Sequence, residues 1–380
     1  MSEDNDHLGL VVSGINKEIK NVDKNIRSAR DSLFGFLGNI LSYKCKLSQA
    51  VQYHTWNVFI KPVLRSGLAA LPIRPPVAKT MTVFHHKILR AILKLSNHSP
   101  VAPLYFLLGE LPVEASLHLD VLSLFWNIWF NPQTKAYEVL KYLLKMSDNN
   151  SVTWSAHLRI IFLLYNLPDP LMLLDSPPWP KDRWKQHTRT AVTSQHESTL
   201  RQAAQGNYKL SYLNIQATGL SGRPHPMLSW VLTTHDVVIV RPHIKMLSGD
   251  YLCYAHLAHD RGSDPYCRMC WQTLHHPAPA EDMMHVLTRC RATADTRDRI
   301  MPELLNIVAN FVPNNSLLSA PTHALLTQFI LDCSSLNLPV DVRIPPNHPG
   351  FQCIARQCAS LTYAIHRDRS RQMKAMGLLL

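Results

Sequence analysis

Apolar residues recur at helical spacing in the first part of the chain, and the longest such pattern covers residues 13 to 42. Its apolar positions are three or four residues apart, which is the period of a helix that buries one face. These positions are Ile15, Ile19, Val22, Ile26, Ala29, Leu33, Leu37 and Ile40. The pattern therefore predicts one long amphipathic helix.

Further helical segments are predicted downstream, and proline-rich stretches separate them. Proline stops a helix because it lacks a backbone N–H and its ring clashes with the preceding turn. The predicted segments are 48–71, 77–95, 114–129 and 132–146, with a basic helix from about Phe351. The apolar run 237–240 fits either a short strand or a helix, because four residues do not distinguish the two periods.

These patterns together predict a mainly α protein: a helical bundle, then a small metal-stabilised module, then a helical tail. The stretch LDSPPWPKDRWKQH contains three prolines and a change to mixed charge, which indicates a boundary near residue 176. The predicted segments are a basic helical region (1–95), a helical region (96–176), a linker and connecting subdomain (177–262), a metal module (263–295) and the tail (296–380).

The composition is that of a folded protein, with 46% hydrophobic and only 17% charged residues. Apolar runs such as IIFLLYNLPDPLMLLD are interrupted by proline and aspartate before they reach bilayer length. The first ten residues are acidic and polar, unlike a signal peptide. We therefore expect an intracellular protein without membrane spans, whose cysteines are reduced rather than paired in disulfides.

Positive charge is concentrated in one part of the chain, which has a formal net charge of +12. Between Asp31 and Glu110 there are nine basic residues and no acidic one. A one-signed segment indicates a polyanionic partner such as nucleic acid, although scattered surface charge on several helices is the alternative. The candidate phosphate-binding residues are Lys17, Lys20, Lys24, Arg27, Lys61, Arg65, Lys87 and Arg90.

Four residues in the sequence CRMCWQTLHHPAPAEDMMHVLTRC have the types and spacing of a zinc site. They are Cys267, Cys270, His285 and Cys290, in the order Cys-Cys-His-Cys. Three thiolates and one imidazole form a complete tetrahedral set, so no position remains for a reactive water. We therefore expect a structural zinc ion, with His275 or His276 as the alternative histidine ligand.

The rest of the sequence indicates neither a second metal site nor a catalytic motif. Cys253, His256 and His259 do not share one helical face, so a second metal site there is not favoured. Three further thiols, Cys333, Cys353 and Cys358, are expected in the core. The sequence has no phosphate-binding glycine loop, no nucleophile-elbow motif and no Asp-Asp pair, so we expect no catalytic site.

Several short stretches together resemble the C-terminal part of the reverse transcriptase of non-LTR retrotransposons. The stretches DHLGL at Asp6 and FIKPVLRSGL from Phe59 are similar to segments in and around the thumb of those enzymes. GLSGRPHP, IKMLSGDY and the Cys267 knuckle then follow in the family's order, and HVLTRC ends the motif. The resemblance covers residues 6 to about 300.

The resemblance implies a thumb-like helical region that grips a nucleic-acid duplex, together with a zinc knuckle. The family's palm and fingers, which carry its catalytic carboxylates, have no counterpart here. The resemblance therefore implies a truncated or separately encoded, non-catalytic segment of a retroelement, in the nucleus rather than the cytoplasm. It leaves open whether the ligand is RNA, DNA or a hybrid.

A second function class also fits these sequence features. The chain could be a zinc-containing adaptor whose basic face binds an acidic protein partner. The two classes differ in their ligand: salt-sensitive binding to unrelated duplexes indicates the first, and one stoichiometric protein partner indicates the second.

Overall fold

The computed structural model describes residues 6–7, 10–11, 17–37, 47–146, 153–215, 219–231, 233–274 and 278–378. Within these ranges the chain is mainly helical, as the sequence predicts. One short antiparallel pair joins β1 (Asp6–His7) to β2 (Leu10–Val11).

The helices are numbered in chain order. The first ten are α1 (Lys17–Leu37), α2 (Gln49–Thr55), α3 (Lys61–Arg65), α4 (Pro75–Leu93), α5 (Ala102–Leu108), α6 (Val113–Trp129), α7 (Lys135–Met146), α8 (Trp154–Leu164), α9 (Pro170–Leu174) and α10 (Lys181–Gln205). The others are α11 (Thr234–Leu247), α12 (Tyr254–Arg261), α13 (Arg268–Leu274), α14 (Ala294–Phe311), α15 (Ser316–Ser319), α16 (His323–Leu331) and α17 (Phe351–Ala375).

The segment predicted as one helix over 48–71 is not one continuous α-helix. A π-helical turn, Trp56–Ile60, separates α2 from α3, and a 3₁₀ turn follows at Leu68–Ala70. Pro62 lies in the first turn of α3 and lacks the N–H that would continue the regular ladder. The widened turn just before it is the local response to that missing donor.

The run 237–240 is helical and lies inside α11. Thr233 and Asp236 form a capping box at the start of this helix, each side chain accepting the backbone N–H of the other residue. Val237 and Val240 are buried. The capping box favours a helix at this position, whereas the short apolar run alone does not distinguish a helix from a strand.

The chain divides into two compact units, each built from separate stretches. The first unit comprises residues 1–42, 53–89 and 111–200, and the second comprises 43–52, 90–110 and 201–380. The proline-rich stretch near residue 176 lies within the first unit. The predicted segments are continuous in sequence, whereas each compact unit combines stretches that are far apart in sequence.

Aromatic residues fill the core of the first unit. Phe125, Trp129, Phe162 and Trp184 pack edge to face or tilted, with ring centroids 5.0 to 6.2 Å apart. The indole N–H of Trp184 donates to the carbonyl of Leu122 (3.0 Å). These contacts attach α6, α8 and α10 to one another.

The segment predicted as a tail is a central part of the second unit. Helix α17 packs against α11, α14 and α16 along much of its length. Its residues Phe351, Ile354, Leu361 and Ile365 are almost fully buried. The helix is therefore the element on which the other helices of this unit are assembled.

Candidate metal centre

Cys267 and Cys270 are positioned by backbone pairing between the segments that precede and follow α13. The backbone N–H of Cys267 donates to the carbonyl of Pro279 (3.0 Å), and that of Glu281 donates to the carbonyl of Pro265 (2.9 Å). Cys267 directly precedes α13 and Cys270 lies in its first turn. Because backbone pairing sets the loop, both thiols enter the interior together.

A single π-helical turn, His285–Arg289, brings His285 and Cys290 together. The backbone N–H of Cys290 donates to the carbonyl of His285 (2.7 Å), and the Asp282 carboxylate accepts the N–H of His285 (2.6 Å). A π turn places residue i+5 beside residue i. His285 and Cys290 are separated by four residues, which is the spacing that this turn requires.

The four predicted ligand residues converge in a buried group that can hold a metal ion. Their ligand atoms all lie within 4.8 Å of one another. Cys270 Sγ is 3.7 Å from Cys290 Sγ and 3.5 Å from His285 Nε2, and Cys267 Sγ is 4.0 Å from Cys290 Sγ. Tetrahedral zinc bonds imply edges of roughly 3.8 Å between sulfurs and roughly 3.6 Å between sulfur and nitrogen.

The four side chains perturb one another strongly. The pKa of Cys270 lies well below its usual value because the thiols of Cys267 and Cys290 donate hydrogen bonds to its sulfur. The pKa of Cys267 is raised by its own hydrogen bonds with Cys270 and Cys290. Burial opposes the charging of His285, but its contacts with Cys270 and Cys290 outweigh burial and raise its pKa to about 9. Cys270 and His285 therefore stabilise each other's charged form.

A buried ion pair connects this centre to the C-terminal helix. Arg369 of α17 donates to Glu281 at 2.6 Å, and both side chains are at most 2% exposed. The same Glu281 oxygen accepts the backbone N–H of Tyr254 (3.2 Å), and the guanidinium lies 5.6 Å from the Tyr251 ring centroid. The sequence did not single out this pair, because its members are 88 positions apart.

Two further contacts hold α14 and α17 around the ligands. Arg297 donates to the carbonyl of Cys290 (3.0 Å), and Gln372 donates to the carbonyl of Ala292 (2.7 Å). Met373 is buried against the cysteines. The metal module is therefore integrated into the second unit and is not an isolated knuckle.

The other cysteines and histidines form no comparable group within the described ranges. Cys253 precedes α12, where His256 bonds to the carbonyl of Tyr251 (3.3 Å) and His259 packs on the ring of Tyr208. Of the thiols predicted in the core, Cys333 and Cys358 are buried but Cys353 is exposed. The alternative ligands His275 and His276 lie outside the described residues.

The basic row of α1 lies away from its buried row. Lys20 and Arg27 are exposed, and Lys17 and Lys24 are half-buried. The buried row consists of Val22, Ile26, Ala29 and Leu33, whereas Ile19, predicted in this row, is exposed. Ile15 and Ile40 lie outside the described residues.

A cation of α1 lies near an aromatic ring of α4 in the first unit. The Arg30 guanidinium is 5.9 Å from the ring centroid of Phe84 in α4. Lys87, one turn beyond Phe84, is exposed, and Lys61 is half-buried. Both helices therefore carry exposed cations in the same unit.

Two of the candidate phosphate-binding residues make internal contacts. Arg65 donates to the Asp120 carboxylate (2.9 Å) and to the carbonyl of Ser116 (3.1 Å). Arg90 donates to the hydroxyl and the carbonyl of Ser99 (3.2 and 2.9 Å). Both guanidinium groups thus hold neighbouring segments together.

Comparison with known proteins found no matching family model, no matching curated protein and no matching solved structure. The resemblance to retroelement reverse transcriptases therefore depends on the sequence motifs alone. Among the described residues, no helix is long and apolar enough to cross a membrane.

Proposed function

We propose that this chain is a non-catalytic nucleic-acid-binding segment of a retroelement reverse transcriptase that carries a structural zinc ion. The observation that carries the binding part is the group of exposed cations on α1 and α4, of which the α4 residues lie in the interval without acidic residues between Asp31 and Glu110. Phosphate contacts from basic helices bind duplexes with little preference for sequence. A nuclear location is consistent with that ligand.

Zinc is the metal that the ligand set favours. Three cysteines and one histidine are soft and intermediate donors, which suit zinc better than magnesium or calcium. Their separations agree with tetrahedral bonds. Since all four positions are filled by protein, the ion stabilises the fold and does not activate water.

Metal analysis tests the zinc assignment. Purified protein should contain one zinc ion per chain, and Cys270→Ser should lose most of it because only three ligands remain. Cys353→Ser is the matched control, since this exposed thiol lies outside the group. Cobalt substitution should give a tetrahedral thiolate spectrum. Retention of zinc by the Cys270 variant would overturn the assignment.

Salt dependence tests the nucleic-acid assignment. Replacing Arg27 and Lys87 by alanine should flatten the plot of log K against log salt for a mixed-sequence duplex by up to about 1.8, since each phosphate contact contributes about 0.9. Both side chains are exposed. Lys135→Ala with Lys145→Ala, on exposed positions of α7, removes the same charge and should change the slope little.

If both double variants have the same effect, the charge acts as a diffuse field and the assigned surface is wrong. The non-catalytic part is tested separately on a primed template. The purified chain should incorporate no nucleotides above background, and incorporation would refute this part alone.

One observation favours the adaptor as a second candidate. Helix α7 exposes Val139, Tyr142, Leu143 and Met146, an apolar row at helical spacing that phosphates would not contact. Exposed apolar rows commonly mark protein–protein contacts. Stoichiometric binding of one protein without nucleic-acid binding would favour this candidate.

A further inference from the structure

The beginning of α10 carries a dense group of exposed cationic side chains. None of them is among the phosphate-binding residues predicted from the sequence. Between residues 181 and 189 there are four lysines and arginines and only one acidic residue, Asp182. The four are Lys181, Arg183, Lys185 and Arg189, and all are exposed. Such local charge imbalance on one helix favours a polyanionic ligand.

The buried side of α10 determines which way these cationic side chains face. Trp184 and Val192 are almost fully buried, and the indole of Trp184 is tied to the carbonyl of Leu122. Lys181, Lys185 and Arg189 follow one another every four residues along one flank of that buried side. Each step along the helix is therefore about 6 Å.

An aromatic surface lies at the Lys181 end of this row. The ammonium of Lys181 is 5.5 Å from the ring centroid of Trp126. Trp126 stacks on Phe130 with centroids 4.8 Å apart and planes 23° apart, and Phe130 is 51% exposed. The row of three cations therefore ends beside an aromatic ring that solvent can reach.

We propose that Lys181, Lys185, Arg189 and Phe130 form a binding site for single-stranded nucleic acid. The cations contact successive phosphates, and an unpaired base stacks on Phe130. A row of basic groups combined with an aromatic ring is a usual means of holding single strands, whereas a duplex shields the faces of its bases. This proposal rests on the proposed function. It assigns single-stranded nucleic acid, in addition to a duplex, as a ligand of the first unit.

An acidic peptide is the competing ligand for the cations. It would match the charge of the row but has no planar base to stack on an exposed ring. Phe130 therefore distinguishes the two ligands, and the experiment uses it for that purpose.

The test measures fluorescence anisotropy of the full chain with a labelled oligouridine and with a mixed-sequence duplex, over a range of salt concentrations. Lys185→Ala with Arg189→Ala should weaken binding of the single strand about 25-fold at 0.1 M salt and flatten its slope by about 1.4. The charge-matched control is Lys135→Ala with Lys145→Ala, which should change affinity less than about twofold.

Phe130→Ala should weaken single-strand binding at least about fivefold, because stacking contributes that much per base. It should leave the salt slope and the duplex affinity unchanged, since it removes no charge. Circular dichroism and metal content should match those of the wild type, which separates loss of contact from loss of fold.

Three results would overturn the proposal. They are an unchanged single-strand affinity in Phe130→Ala, an α10 variant no weaker than its control, and wild-type binding to polyglutamate but not to oligonucleotide. If the α10 variants are normal while Arg27→Ala with Lys87→Ala loses duplex affinity, only this inference fails. If the wild type binds no nucleic acid of either form, the proposed function fails with it.

Discussion

His225, the histidine of the GRPHP stretch, has a structural role in the second unit. Both His225 and Asp332 are completely buried, with His225 Nε2 3.3 Å from Asp332 Oδ2. His225 Nδ1 accepts the backbone N–H of Met227 (3.2 Å), so the proton lies on Nε2, towards the carboxylate. Burial would raise the pKa of Asp332, but His225 and Ser334 outweigh it and lower that pKa.

Replacing His225 by alanine should therefore destabilise the protein by about 3–5 kcal/mol, because the buried Asp332 carboxylate then keeps only its hydrogen bonds from Ser334. Denaturant unfolding measures this loss. Adding Asp332→Asn removes the charge and should recover part of the stability. A double variant as unstable as the sum of the two single variants would show that the buried charge is not the cause.

Three histidines around one tyrosine make the first unit sensitive to acid. His118 Nδ1 is 2.6 Å from the Tyr165 hydroxyl, which is 2.9 Å from His196 Nε2. Burial first, and then the nearby His157 and His196, lower the pKa of His118 to about 3. In the folded protein His118 therefore stays neutral at pH values where an unfolded chain would be protonated.

Stability should consequently fall as pH drops below about 6.5, since only the unfolded state then binds the proton. The loss attributable to His118 is about 1.4 kcal/mol per pH unit until its folded pKa is reached. Unfolding free energies measured from pH 7 to 4.5 should be less steep in His118→Asn. His98→Asn, at an exposed position, should retain the wild-type slope.

At the scale of elements, Gly109 is the point where the end of α5 meets the segment containing His225. Gly109 has φ +62°, and a Cβ there would lie 2.1 Å from the carbonyl oxygen of Arg223. The backbone N–H of Gly222 donates to the Gly109 carbonyl (2.7 Å), and that of His225 donates to the Leu107 carbonyl (2.8 Å). No side chain fits between these two backbones.

Gly109→Ala should therefore cost more than the roughly 1–2 kcal/mol expected for a left-handed residue alone. Gly262→Ala is the matched control, because Gly262 has φ +64° and open space around its Cβ position. Thermal unfolding of both variants separates the backbone cost from the steric clash. Equal losses would show that the segment moves away freely.

The helices that the sequence predicts well are those with a regular apolar row. The pattern over 114–129 corresponds closely to α6, and the basic helix from Phe351 is α17. Helix α10 falls in the segment expected as a linker, because its buried row includes Thr188 and contains few apolar residues. An anchoring tryptophan, rather than a continuous apolar stripe, attaches it to the core.

The candidate metal ligands are predictable for a different reason. Cys267, Cys270, His285 and Cys290 are recognised by residue type and spacing, and neither depends on distant parts of the chain. The contacts around them do depend on such parts. Arg369 meets Glu281 only after α17 has folded against the module, so no local pattern signals their pairing.

At the scale of the whole molecule, the net charge of +12 overstates the charge available to a ligand. Several guanidinium groups are used to hold the chain together, through Glu18, Asp120, Ser99 and Glu281. The exposed lysines and arginines of α1, α4 and α10 are a smaller set. Composition alone does not identify which cations hold the chain together in this way.

The position of α17 over the metal ligands has a consequence for protein synthesis. Cys290 precedes Phe351 by 61 positions, so all four ligands leave the ribosome well before the helix that covers them. If the proposed zinc ion binds, we expect the nascent chain to take it up while the thiols are still accessible, before α17 packs over the site. A chain released before α17 is complete would keep every ligand but leave its thiols open to oxidation and to chelators.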